Sequence, residues 1–308
     1  MRRPSPRYRR SWRAAAALTV IALLAACTAR PADDGRPVVL TTFTVLADIA
    51  ANVAGEHLQV ESITRVGAEV HGYDPTPGDI ARARRADLVL DNGLGLERWF
   101  EQFVDGLDAP HVVVSDGVDV IDVTGDAYAG RPNPHAWMSP LQAQVYVRNI
   151  ADAFVDLDPA HADDYRANAD AYTAELQRVH DELVTALGAL PEQHRALVTC
   201  EGAFSYLARD AGLTEHYIWP VNAEQQATPR QVAAVVDAVR ADEVPAVFCE
   251  STVSDAPMRR VAEATGAVLG GTLYVDSLSE PDGPVPTYLD LLRHDVRVIV
   301  DGLTGRAS

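Results

Sequence analysis

One stretch constrains the fold more than any other. From Asp158 to Gly188, the residues Tyr165, Ala169, Tyr172, Leu176, Val179, Leu183 and Leu187 recur at spacings of three or four. That period draws one apolar stripe along a single helix, about 159–188. At 1.5 Å per residue such a helix reaches roughly 45 Å. Asp158 is placed to cap it, Pro159 suits its first position, and Gly188 and Pro191 suit its end. A helix this long exceeds what an ordinary crossover between parallel strands needs. It reads as a rigid strut joining two bodies of chain.

The flanks support that reading. Before the strut, apolar β-branched runs at Val38–Thr42, Leu58–Val66, Ala86–Asp91 and His111–Val114 alternate with helical runs at Thr44–Ala54, Pro77–Arg85 and Leu94–Val104. After it come strand-like Ala196–Cys200, His216–Trp219, Ala246–Cys249 and Val268–Gly270. Helical Ala203–Ala211, Thr228–Ala241, Asp255–Thr265 and Thr287–Leu303 lie among and beyond them. Alternation of this kind builds mostly parallel sheets flanked by helices. The expected fold is therefore α/β, with two lobes joined by one long rigid spanning helix. Its boundaries are an N-terminal lobe at 37–157, a linking helix at 158–188 and a C-terminal lobe at 189–308.

The chain of 308 residues carries a formal net charge of −18, and all its basic residues are Arg. Residues 1–26 hold six Arg and no acid, so the remainder is more acidic still. Such a surface argues against nucleic acid as a partner. The basic start, the apolar run Ala14–Ala26 and Cys27 have the layout of an export signal. The apolar run is shorter than the ~20 residues of a membrane span. Leu24-Ala25-Ala26-Cys27 resembles a lipobox, which implies that 1–26 is a lipoprotein signal peptide, Cys27 the lipidated residue and 27–36 a polar tether; the alternative is an ordinary secretory signal with an incidental Cys. The remaining cysteines, Cys200 and Cys249, each end an apolar β-rich run and precede a Glu. In an oxidising compartment a Cys200–Cys249 disulfide is expected, with two buried free thiols as the alternative.

There is no phosphate-binding glycine loop, no serine elbow and no CxxC pair. Four short segments stand out, each in a loop after a strand, where α/β proteins place ligands. They are Val70-His71-Gly72-Tyr73-Asp74-Pro75, Asn133-Pro134-His135-Ala136-Trp137, Cys200-Glu201-Gly202-Ala203 and Tyr274-Val275-Asp276-Ser277. Both histidines are framed by prolines, and Trp137 can exclude water from one of them. Taken singly, each has an ordinary explanation: a structural His, a Glu at a helix start, an Asp in a turn.

Together, in this order and at these separations, the segments resemble the manganese, zinc and iron solute-binding lipoproteins of bacterial ABC importers, the cluster A-I type. The resemblance spans essentially the whole mature chain. It includes TTFTVLADIAANVAG, VGAEVHGYDPTPGDIARARRADLVLDNGLGLE, NPHAWMSP, EGAFSYLARDAGL, ESTVSD and GGTLYVDSLS. It implies four metal ligands, His71 and His135 from the first lobe and Glu201 and Asp276 from the second. Glu250 and Ser251 would stand close by. Two neutral imidazoles and two carboxylates balance a divalent cation, which lowers the cost of burying it. Carboxylate oxygens suit Mn²⁺. The family's zinc members often have a further His at the position of Glu201 and a His-rich loop in the first lobe, whereas 116–133 here has no His. The implied cargo is thus Mn²⁺, with Fe²⁺ second and Zn²⁺ third. The implied protein is no enzyme. It is a monomer, lipid-anchored at the outer face of the cell membrane, that hands metal to an ABC permease. The alternatives are a zinc importer component, a metal-dependent hydrolase and a surface adhesin. Two further expectations are that protonation of the histidines weakens binding and that reducing the disulfide loosens the site.

Overall fold

The computed structural model describes residues 35–101, 106–125, 128–191, 194–221 and 227–306. The leader and Cys27 lie outside the described residues. Among those described, no helix is long and apolar enough to cross a membrane.

The described residues begin with β1 (Val38–Thr41), α1 (Thr44–Ala54), β2 (Gln59–Ser62), α2 (Pro77–Ala83), β3 (Leu88–Asp91) and β4 (His111–Val113). The four strands form one sheet in the order β2-β1-β3-β4, with every pairing parallel. β1 and β3 are buried almost throughout, as expected of strands with elements on both faces. Thr76 and Asp79 form a capping box at the start of α2, with Pro77 in its first turn.

The expected helix at Leu94–Val104 is not formed over 94–100, which is a run of turns; Glu101 is helical, and 102–105 lie outside the described residues. The cause is local. Gly93, Leu94 and Gly95 all have positive φ, near 74°, 55° and 78°. A Cβ on Gly93 would lie 2.3 Å from Val113. Glu97 then folds back, and its carboxylate accepts from the Asn92 N–H (2.8 Å) and the Thr42 hydroxyl (2.6 Å).

The strut is a helix pair rather than a lone helix. A helix not expected from the sequence, α3 (Pro140–Leu157), precedes α4 (Ala162–Gly188) and packs against it. Ser139 caps α3 through its hydroxyl, and Pro140 starts it. Ala143, Tyr146, Val147, Ile150 and Phe154 are its buried stripe. Asp158 does not cap α4 through its side chain; it is the C-cap of α3, its N–H donating to the Phe154 carbonyl (2.8 Å). A short 3₁₀ turn at Pro159–His161 intervenes, and the Asp158 carboxylate bonds the His161 imidazole (2.6 Å) and the Tyr165 hydroxyl (2.7 Å) instead. α4 has 27 residues, and all seven stripe residues named from the sequence are buried.

Then follow β5 (Ala196–Glu201), α5 (Ser205–Ala211), β6 (Thr214–Trp219), α6 (Pro229–Ala241), β7 (Ala246–Glu250), α7 (Ala256–Thr265), β8 (Val268–Leu273) and α8 (Tyr288–Leu303). β5 pairs with β6 and β7 with β8, both parallel. β5 lies against β7, where Cys200 and Cys249 form a disulfide with Cα atoms 4.9 Å apart. α4 packs against α1 of the first lobe and against α5 and α8 of the second. One continuous apolar core therefore runs from Val39 to Leu303 through the spine. The architecture is two α/β lobes with mostly parallel sheets, held by a long helix.

Candidate metal centre

The four singled-out residues converge at the carboxyl ends of the strands. His71 lies in the loop after β2. The Glu69 carboxylate accepts the N–H groups of His71 (2.7 Å) and Gly72 (2.8 Å), and the Trp99 indole donates to the Val70 carbonyl (2.8 Å). His135 enters the 3₁₀ turn Ala136–Met138 and is fully buried. Glu201 is the last residue of β5, and Asp276 follows β8; both are buried.

The two imidazoles meet Nε2 to Nε2 at 3.0 Å. Glu201 Oε1 lies 3.6 Å from Nε2 of His71 and 3.7 Å from Nε2 of His135. His71, His135 and Glu201 thus form one cluster with ligand atoms within 4.8 Å of one another, and Glu69, His71 and Asp276 form a second that shares His71. Asp276 Oδ1 is buried with no hydrogen-bond partner, a costly state for a carboxylate unless a cation is near.

The protonation chemistry suits a cation. Asn133 Oδ1 accepts both the backbone N–H of His135 (3.0 Å) and its ring Nδ1–H (2.9 Å). Holding the proton on Nδ1 leaves Nε2 with a lone pair facing His71 and Glu201. Burial pushes His71 down to about 4. Burial, then the neighbouring His71, holds His135 well below the ordinary imidazole range. Both rings are therefore neutral at neutral pH, so protonation that weakens binding would set in below the ordinary imidazole range. Asp276 is raised well above the usual carboxylate range by burial, then by the charges of Glu201 and Glu69. Burial also lifts Glu250 to about 8. Two neutral nitrogen donors facing crowded carboxyls are a donor set suited to a divalent cation.

Glu250, the last residue of β7, accepts the Glu201 N–H at 3.2 Å. Ser251 is exposed, with its N–H donating to the Leu273 carbonyl (2.8 Å). Cys200 and Cys249 lie beside Glu250, but the disulfide removes their thiolates as donors. Glu69 and Asn133, each two residues before a singled-out histidine, had no role assigned from the sequence, although Asn133 opens one of the four segments. A polar residue two before a proline-framed His was the available signal.

Contacts between the lobes frame the centre. Asn133 Nδ2 donates to the Gly202 carbonyl (2.6 Å). The Gly67 N–H donates to the Ser277 hydroxyl (2.7 Å), and the Leu278 N–H to the Thr44 hydroxyl (3.0 Å).

Residues 39–302 match the family described as ZnuA, zinc-uptake complex component A, periplasmic. The chain belongs to this family. It is 48% identical over 298 residues to the iron-binding protein YfeA of Yersinia pestis, covering 94% of this chain and 96% of that one. It is 33% identical over 273 residues to the manganese ABC transporter substrate-binding lipoprotein PsaA of Streptococcus pneumoniae, covering 86% and 88%. Among solved structures, the Mn-bound periplasmic metal binding protein of Candidatus Liberibacter asiaticus superposes with a TM-score of 0.82 at 39% identity, covering 87% and 100%. The periplasmic zinc binding protein TroA of Treponema pallidum does so with 0.80 at 25% identity, covering 87% and 99%. The chain is a substrate-binding protein of a metal ABC transporter and not an enzyme. Its partners are divalent metal ions and the transporter's permease and ATPase.

Proposed function

We propose that this protein captures Mn²⁺ between its lobes, with Fe²⁺ the next-best cargo, and that His71, His135, Glu201 and Asp276 are the ligands. The observation that carries the reading is Glu201 Oε1 standing 3.6 and 3.7 Å from two imidazole nitrogens, with a buried, unpartnered Asp276 oxygen close by. Two nitrogens, two carboxylates and no thiolate form a hard donor set of net charge −2, suited to Mn²⁺ or Fe²⁺. The names of the relatives divide among iron, manganese and zinc, so the donor set is the stronger guide.

The reading also takes Cys27 as a lipidated anchor at the outer face of the cell membrane, residues 1–26 as its signal and 27–36 as a tether. The lobes are 37–157 and 189–308, with 158–188 between them, and the protein works as a monomer. The shared core and the interlobe hydrogen bonds support small shifts of the lobes on binding rather than a wide hinge. Release then falls to the permease, acting on the ligand loops.

A zinc cargo is the second reading, favoured by the family's description and by the likeness to TroA. Zn²⁺ exceeds Mn²⁺ in affinity for most sites, so occupancy alone does not separate the two. Competitive binding of Mn²⁺, Fe²⁺ and Zn²⁺ to the mature domain and to Glu201→His does. Tight Mn²⁺ binding that shifts toward Zn²⁺ in the variant supports manganese. Negligible Mn²⁺ affinity in the unaltered protein moves the reading to zinc.

A further inference from the structure

A line of hydrogen bonds leaves the centre on the side of His135 away from the other ligands. Asn133 is buried, and its Oδ1 takes the Nδ1–H of His135 at 2.9 Å. Its Nδ2 donates to the Gly202 carbonyl (2.6 Å) and to the Ser205 hydroxyl (3.2 Å). Turning the amide over would set its oxygen against that carbonyl and its NH₂ against the His135 N–H groups, so only one orientation satisfies the network. The Ser205 hydroxyl donates onward to Glu215 Oε2, and the Phe204 N–H donates to Glu215 Oε1 at 3.2 Å. Every hydrogen along His135, Asn133, Ser205 and Glu215 points the same way, toward a carboxylate.

Glu215 stands on β6 and lines a cavity of about 610 Å³ together with Asn133 and Ser205. The other charged or titratable groups lining it, among the described residues, are Asp122, Arg209, His216 and Tyr217. Arg209 is engaged by Asp119 and Asp210, and His216 by Asp242. α6 contributes only Ala234, Val235 and Ala238 to the lining. Among the described residues, Glu215 accepts from the Ser205 hydroxyl and the Phe204 N–H and forms no ion pair.

We propose that Glu215 is a positioning residue for His135, acting through Ser205 and Asn133 to fix the ring's tautomer and orientation and to strengthen Nε2 as a donor to the metal. The inference rests on the reading of His135 as a ligand. Metal-bound histidines commonly pass their other N–H to a carboxylate, which raises the ring's basicity. Here the carboxylate acts from a distance, with an amide and a hydroxyl interposed, and aligned hydrogen bonds polarise one another along such a chain. The chain also crosses between lobes, since Asn133 precedes the spine while Ser205 and Glu215 follow it. The full donor strength of His135 is therefore available only with the lobes in this arrangement.

The test measures Mn²⁺ affinity, by electron paramagnetic resonance of free Mn²⁺, for the mature protein and for Glu215→Gln, Ser205→Ala, Ser205→Thr and His135→Ala. Metal-free melting curves serve as the folding control. The expected loss is about 10-fold for Glu215→Gln and for Ser205→Ala, the lower end of what outer partners of metal-bound histidines contribute. Ser205→Thr restores binding, and the Glu215→Gln/Ser205→Ala double variant is no weaker than either single one. Burial lifts Glu215 to about 7, so the gap between wild type and Glu215→Gln should close as pH falls below about 7. A purely structural role would not give that pH signature. Wild-type affinity in Glu215→Gln and Ser205→Ala, alongside loss in His135→Ala, overturns the relay alone. Wild-type affinity in His135→Ala overturns the ligand reading and the relay with it.

Discussion

The two lobes bring different chemistry to one centre, and their construction differs accordingly. The first lobe has a continuous four-stranded parallel sheet, and its imidazoles sit in loops braced by Glu69, Trp99 and Asn133. The second has two short parallel ladders joined by a disulfide, and its carboxylates sit at or just beyond strand ends, crowded with Glu250. Neutral rings need orientation, which hydrogen bonds to a loop supply. Buried carboxylates repel one another and need a backbone that does not yield. The disulfide between β5 and β7 provides that beside Glu201. The contrast implies that the first lobe sets geometry and the second sets charge.

Removing a ligand is the strongest way to break that division. Glu201→Gln should weaken Mn²⁺ binding by more than the roughly 10–100-fold cost of losing an outer partner, and by more than His71→Gln does. The first change leaves buried positive charge unbalanced, whereas the second removes a neutral donor. Titration calorimetry on both variants checks the order, and equal losses would end the division of labour.

The disulfide comes next. Cys200→Ser/Cys249→Ser should lower unfolding stability by about 4 kcal/mol in the chain-entropy model, read from denaturant midpoints, and should reduce Mn²⁺ affinity as well. Lower stability with unchanged affinity would show that β5 and β7 hold Glu201 without the cross-link.

A smaller effect is expected beside the same carboxylate. A Cβ at Gly202 would lie 2.7 Å from the Pro220 carbonyl oxygen and 2.8 Å from the Tyr217 ring. Gly202→Ala should therefore destabilise the protein by about 1–3 kcal/mol, the usual range for overpacking, as a thermal melt would register.

The mildest test uses pH without mutation. Glu250 is lifted by burial from 4.5 to about 8, so the folded, metal-free protein holds that proton more tightly than the unfolded chain does. Its contribution to stability is fully present below pH 4.5 and is lost as pH rises through about 8. Metal-free melting temperature should fall between pH 6 and 9, and Glu250→Gln should flatten that fall. An unchanged slope in the variant would place the dependence elsewhere.

The periodicity of Tyr165 to Leu187 revealed the spine because a helix records its buried face locally. α3 carries a comparable stripe and a Ser-Pro start, yet its role becomes visible only when it folds back on α4. Asp158 misled because a capping residue and a side-chain anchor look alike until His161 and Tyr165 come within reach. At the centre, prolines beside His71 and His135 marked rigid frames. Glu69 was hidden because it works by bonding backbone N–H groups. Glu215 was hidden because its link to His135 joins residues eighty positions apart, and no local pattern encodes that. Glu97 falls in the stretch expected to be helical, and the positive-φ residues Gly93, Leu94 and Gly95 instead turn it inward.

The central claim is that His71, His135, Glu201 and Asp276 hold one cation together. The most direct measurement is anomalous diffraction at the manganese edge from crystals of the Mn²⁺-loaded protein. The expected result is a single strong peak within bonding distance of both Nε2 atoms and both carboxylates. A peak that touches residues of one lobe only, or that lies away from these four, would contradict the account.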